Sequence, residues 1–301
     1  MENYKFIADK EEIRWFFDHV LEDLSGDSKR SYLVCLCARA KKLSDDERKE
    51  YGIGRDSVMF REEIISTRGK DKIWNFEQFM SHLYRYECPK EGMITRTGLP
   101  YPEKSLSVLF YAEPSDETKV AQYIVKYANT IQSELVCSTL NFTENGNKAG
   151  IEDNLNKLSC LTKKTKSCHA ENTVKTFIHY DFDVKSEYVN NEIIRNAIED
   201  DLKMILMLVY GKGNFFIIKT AGGYHILVFR KALKEAAERC KKYYGNSNSI
   251  QAFLNALQNT DSASYFTTGE DRVQKQCFIP MPGMLMYESY VPTIINKEDF
   301  S

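Results

Sequence analysis

Phe177-Ile-His-Tyr-Asp-Phe-Asp-Val184 is a short, largely apolar run that carries two aspartates, Asp181 and Asp183, at i and i+2. Residues two apart on a β-strand point to the same side of the sheet. The run therefore reads as a strand that delivers both carboxylates together at its end. Such a pair is self-repelling unless a cation sits between the two groups. Two hard oxygen ligands on a rigid strand suit Mg²⁺ or Mn²⁺, the ions that handle nucleotide phosphates. An isolated Asp-x-Asp also describes an ordinary solvated loop, so its weight depends on the strands around it. Tyr180 and Phe182 alternate with the aspartates and are expected to pack on the opposite face.

A second strand pair lies further along the chain. Asn214-Phe-Phe-Ile-Ile-Lys-Thr-Ala-Gly-Gly-Tyr-His-Ile-Leu-Val-Phe229 reads as a hairpin. Phe215 to Ile218 and Ile226 to Phe229 are β-prone runs, and Ala221-Gly222-Gly223 supplies a permissive backbone for the turn. His225 stands just beyond the glycines. A backbone without side chains lets a ligand approach, and a histidine beside it can donate a hydrogen bond to phosphate. The plainer alternative is a hairpin whose glycines only turn the chain, with a half-buried histidine on one face.

The order of these features, an apolar strand ending in Asp-x-Asp, a Gly-rich hairpin with Gly223-Tyr-His225 and a late Pro-Gly segment, resembles the archaeo-eukaryotic primase superfamily. That family includes replicative small primase subunits, primase-polymerases, and primases of phages and plasmids. Its metal-binding Asp-x-Asp is matched by Asp181 and Asp183, and its nucleotide-contacting histidine by His225. Gly223 stands where a serine is common. Pro280-Met-Pro-Gly-Met284 is similar to the family's late Pro-Gly segment, with methionine in place of the usual hydroxyl residue. The resemblance covers roughly residues 100 to 301 and rests on the order of short motifs.

The resemblance implies a third carboxylate in the metal site. Asp261 lies after a helix ending near Asn259 and before the strand-like Gln276-Cys-Phe-Ile-Pro280, the order that the family pattern requires. Asp271, in Gly269-Glu-Asp-Arg272, is the rival because it is nearer that strand. Each also reads as an ordinary turn residue. Lys219 and Thr220, on the preceding strand end, are expected within reach of the same phosphates, although Lys219 reads equally as a solvated edge lysine; Arg272 or Lys275 would add a further cation. The implied activity is template-directed nucleotidyl transfer on single-stranded DNA, using NTPs or dNTPs and two Mg²⁺ or Mn²⁺ ions. A replicative helicase or another replication protein is the expected partner, with no helicase domain attached. Two other classes stay open: a nuclease using the same carboxylates for hydrolysis, and a nucleic-acid-binding replication module that has lost catalysis.

Composition sets outer bounds. A chain of 301 residues, 43% hydrophobic and 28% charged, can bury a real core. It has no apolar run long enough to span a membrane, and its polar start is no signal peptide. Eight cysteines without a regular framework favour a reducing cytoplasm. Cys35-Leu-Cys37 reads as packing, and Cys160, Cys168 and His169 lack a fourth zinc ligand at convincing spacing. Net charge is −2, so nucleic-acid binding would need a local basic groove. Two stretches are candidates: Lys157, Lys163, Lys164, Lys166 and Lys175, and the helix-like Arg230 to Lys242. Both also read as solvated faces.

Coarse periodicity predicts helices over Glu11–Leu24, Asn75–Tyr86, Glu117–Ile131, Glu192–Tyr210, Ala232–Tyr244 and Ile250–Leu257. Ser105 to Ala112 reads as a strand, and Tyr32 to Leu43 fits strand or helix, its lysines and alanines favouring helix. The fold class expected is α/β or α+β, with a mixed sheet of the kind the resemblance implies. Two regions are expected: an N-terminal 1–95 that is helical or α/β, read as largely helical, and a catalytic domain over 96–301 with a polar insertion near 140–170.

Overall fold

The computed structural model describes residues 2–21, 30–54, 58–66, 75–145, 174–245, 247–267, 272–274 and 278–300. The first half of the chain forms α1 (Lys10–Val20), β1 (Arg30–Ala38), α2 (Asp45–Glu50), β2 (Val58–Ser66), α3 (Phe76–Tyr84), β3 (Leu106–Asp116) and α4 (Glu117–Asn145). The second half forms β4 (Phe177–Asp183), α5 (Glu192–Tyr210), β5 (Phe215–Lys219), β6 (Gly223–Phe229), α6 (Leu233–Tyr244), α7 (Ser249–Gln258), β7 (Val273–Gln274), β8 (Phe278–Pro280) and β9 (Thr293–Ile294).

The strands make two sheets, ordered β2-β1-β3-β8 and β7-β4-β6-β5-β9. Every pairing in them is antiparallel. The class is therefore α+β, and the expected mixed sheet is replaced by two antiparallel ones. The stretch Tyr32 to Ala38 is strand, not helix. It lies between two neighbours with both of its faces buried, so its apolar run lacks the alternation that marks a half-exposed strand. The first 95 residues are thus not largely helical. A division at residue 95 would also cut the first sheet, in which β1 and β2 pair onward to β3 and β8. Helix α4 continues past Ile131 into the start of the expected insertion. Residues 146–173, with Cys160, Cys168, His169 and most lysines of the first basic stretch, lie outside the described residues.

Local chemistry sets the helix ends. Asp9 accepts hydrogen bonds from the N–H groups of Glu11 and Glu12 and so caps α1. Asn191 does the same for α5 through Ile193 and Ile194. Ile198, Leu202, Leu206 and Val209 form the buried stripe of α5.

The second sheet separates two cores. Ile178, Tyr180, Phe182, Ile217, Tyr224 and Ile226 face α5, α6 and α7. Phe177, Phe216, Ile218 and Leu227 face the other way, into a core shared with α1, α3, β1 and β3. Buried Glu12 ties that core to the end of the chain: its Oε1 accepts from Ile294 N–H at 2.7 Å, and its Oε2 pairs with Lys297.

Candidate active site

One face of β4 runs from core to solvent. Phe177 and His179 are buried, Asp181 is partly exposed and Asp183 is exposed. Tyr180 and Phe182, on the other face, are buried among the helices. Alternation thus brings both carboxylates to the side that faces the first sheet, at the strand end where packing between the sheets gives way to water.

β6 supplies the neighbours. Its register sets His225 opposite Asp181 and Gly223 opposite Asp183. His225 Nδ1 lies 3.6 Å from Asp181 Oδ1 and 2.9 Å from Nε2 of His179. The two imidazoles meet edge to edge, with centroids 5.1 Å apart and planes inclined by 28°.

Two residues expected at the phosphates do other work. Lys219 pairs in register with Tyr224, whereas His225 pairs with Ile218. Lys219 therefore stands on the helix-covered face, where its Nζ meets Glu199 at 2.6 Å. Thr220 closes the turn: its hydroxyl accepts from Gly223 N–H and donates to the Gly223 carbonyl, each at 3.1 Å. Buried Arg195, from α5, donates to the Thr220 carbonyl at 2.9 Å. Gly223 is demanded by packing, because a Cβ there would fall 1.9 Å from the carbonyl oxygen of Phe182.

Arg272 is brought to the same strand end through its backbone. Its carbonyl accepts from Asp181 N–H at 3.0 Å, and its guanidinium lies over the rings of Phe182 and Phe266. Burial pulls the guanidinium pKa down, and the charges of Asp183 and Asp181 oppose that shift. An open cleft of about 830 Å³, lined by Phe182, Leu254, Phe266 and Thr267, begins at Arg272. Asp261 is exposed at the start of a short 3-10 turn, and its neighbour Ser262 donates to Asp201 at 2.5 Å. Asp271 and Lys275 lie outside the described residues.

Asp181 and Asp183 fit a Mg²⁺ or Mn²⁺ ion as two hard oxygen donors on one face, open to water. Among the described residues no group of three His, Cys, Asp or Glu side chains is gathered to hold a metal. The late Pro-Gly segment serves packing: the Gly283 carbonyl accepts from the N–H groups of Ala8 and Asp9, and φ there is +78°. A Cβ at Gly283 would fall 2.4 Å from the Asp9 carbonyl oxygen.

Three residues here were not read from sequence. His179 had a signal, since His179, Asp181 and Asp183 form one i, i+2, i+4 series. Arg39 and Tyr287 had none, because only tertiary structure brings Tyr287 near Asp183 and Arg39 to Tyr287. Burial raises the Tyr287 hydroxyl pKa; Arg39, its hydrogen-bond partner, lowers it, while Cys37 and Asp183 raise it further. Tyr287 itself holds a left-handed backbone, with φ 55°.

No family model, curated protein or solved structure matches this chain. Among the described residues no helix is long and apolar enough to cross a membrane.

Proposed function

We propose that the protein is a metal-dependent nucleotidyltransferase of the archaeo-eukaryotic primase type, making or extending primers on single-stranded DNA. The observation that supports this reading is the direct pairing of Asp181 with His225 across β4 and β6, with Asp183 one step further out on the same face. In this reading Asp181 and Asp183 hold the ion, and His225 donates a hydrogen bond to a triphosphate oxygen. Arg272 balances the carboxylates and adds a cation beside the nucleotide. Asp181 and Asp183 would hold the ions, whose charge would favour attack by a 3′ hydroxyl and departure of pyrophosphate. Displacement at phosphorus otherwise needs positioning and charge neutralisation more than a protein base. Asp261, or its rival Asp271, is assigned as third carboxylate by sequence order alone. The proposed setting is cytoplasmic DNA replication, beside a separate helicase.

The test is incubation with NTPs, dNTPs, Mn²⁺ and an unprimed single-stranded template. Products longer than a dinucleotide, lost in Asp181→Ala and Asp183→Ala while template binding persists, are the expected result. Near-normal synthesis by either variant overturns the metal assignment. A shortened template would make the protein a nuclease, and template binding without nucleotide uptake a binding module.

A further inference from the structure

His179 is 3% exposed, yet its imidazole reaches a group at the rim of the site. Its Nε2 and the Nδ1 of His225 are 2.9 Å apart, a hydrogen-bond distance between two ring nitrogens. One of them donates and the other accepts. The direction of that bond decides what His225 offers a ligand. A neutral His225 has one ring proton. On Nδ1 that proton is taken up by His179, and Nε2 presents only a lone pair, which repels a phosphate oxygen. On Nε2 it leaves Nδ1 to accept from His179. Asp181 bears on the choice, since its Oδ1 is 3.6 Å from His225 Nδ1. With a cation held by Asp181, a proton on Nδ1 would face positive charge.

We propose that His179 is a positioning residue that donates its Nε2–H to Nδ1 of His225 and fixes His225 as the Nε2–H tautomer, aimed at a phosphate oxyanion of a bound nucleoside triphosphate. A partner that fixes an imidazole's tautomer and ring plane is a familiar device where histidine binds a ligand. The planes of the two rings lie within 28° of each other with centroids 5.1 Å apart, the edge-to-edge arrangement that a bond made in the plane of both rings requires. The phosphate in this statement rests on the function proposed above, and the direction of the hydrogen bond rests on the cation that reading assigns to Asp181; the pairing of the two rings does not.

The two parts are tested apart. Two-bond ¹H–¹⁵N spectra of the ¹⁵N-labelled protein with Mg²⁺ and no nucleotide report the tautomer of each of the five histidines, assigned by single substitutions. The expected result is Nε2–H at His225 in the parent protein. His179→Gln sets an amide donor near the lost Nε2 and keeps that tautomer. His179→Phe keeps the ring but removes the donor, and leaves His225 a mixture of tautomers. In primer extension His179→Phe raises KM for dATP about tenfold with a smaller change in kcat, and His179→Gln restores it. A Nδ1–H tautomer in the parent protein overturns the proposal. So does a pure Nε2–H tautomer in His179→Phe. Should that variant not fold, the parent and His179→Gln spectra still decide. Unchanged dATP affinity in His225→Ala removes the phosphate reading instead, and the tautomer assignment then stands or falls on the spectra.

Discussion

The carbonyl oxygen of Phe182 occupies the space in which a side chain on Gly223 would begin, 1.9 Å from an ideal Cβ. This close approach lets β6 bring His225 beside Asp181. Gly223→Ala should therefore force β4 and β6 apart and cost about 1–3 kcal/mol, the range for overpacking a filled site. Gly222→Ala should be mild, since its Cβ would meet Asp183 Oδ1 at an ordinary 3.7 Å. Denaturant unfolding of the two variants checks this, and equal losses would contradict the packing account.

Lys219 and His225 should separate stability from ligand binding. The Lys219–Glu199 pair is partly shielded, with side chains 28% and 15% exposed. After allowance for solvent screening, Lys219→Met should cost no more than about 1 kcal/mol and leave nucleotide affinity unchanged. His225→Ala should weaken nucleotide binding while template binding without metal stays near normal. Calorimetric titration of both variants is the check. A Lys219→Met protein with weakened nucleotide affinity would return that lysine to the site.

Arg272 and a divalent ion should substitute for one another as counter-charge to Asp181 and Asp183. Arg272→Gln should melt lower than the parent protein in metal-free buffer. Added Mn²⁺ should then raise its Tm by more than it raises the parent's, because a ligand stabilises by its affinity for the folded state. Equal gains in both proteins would mean that the guanidinium and the ion do not share these carboxylates.

Alkaline pH should unfold the protein through its tyrosines. Tyr180 and Tyr210 share a 2.6 Å hydroxyl–hydroxyl bond. Burial pushes Tyr210 up to about 12 and raises Tyr180 and Tyr224 as well. Unfolded tyrosines titrate at about 10. From there up to the folded value the unfolded chain has lost protons that the folded one keeps. Stability is thus full below about pH 10 and falls above it, by about 1.4 kcal/mol per pH unit for each such tyrosine. Urea unfolding across that range should give a shallower fall in the Tyr180→Phe, Tyr210→Phe double variant. An unchanged slope would clear the pair of this role.

Much of the site was legible where periodicity was clean. β4 and the β5–β6 hairpin follow from β-prone runs bounded by glycines, and α5 from an apolar stripe with an Asn191 cap. β2 went unread because Arg61-Glu62-Glu63 interrupts its pattern; it lies at a sheet edge, where charge is tolerated. Lys219 was misplaced for a different reason. A one-residue change of register exchanges the two faces of a strand, and register depends on turn geometry that composition does not fix. Arg39 and Tyr287 were invisible because nothing in sequence spacing joins residue 39 to residue 287 or either to Asp183.

The tie between Glu12 and Ile294 spans 282 positions along the chain. Both sheets likewise take an outer strand, β8 and β9, from the last residues described. A nascent chain leaves the ribosome from its N-terminus at about 5–20 residues per second. Helix α1 emerges early, but its buried carboxylate has neither Ile294 nor Lys297 to meet until the far end has been made. Contacts this distant slow folding, since the loop must close before they reward it. Phe16 and Phe17 can meet Phe110, Phe76 and Phe79 well before that, so α1 settles on a half-built core with its buried carboxylate still waiting, and the late residues lock its packing rather than start it.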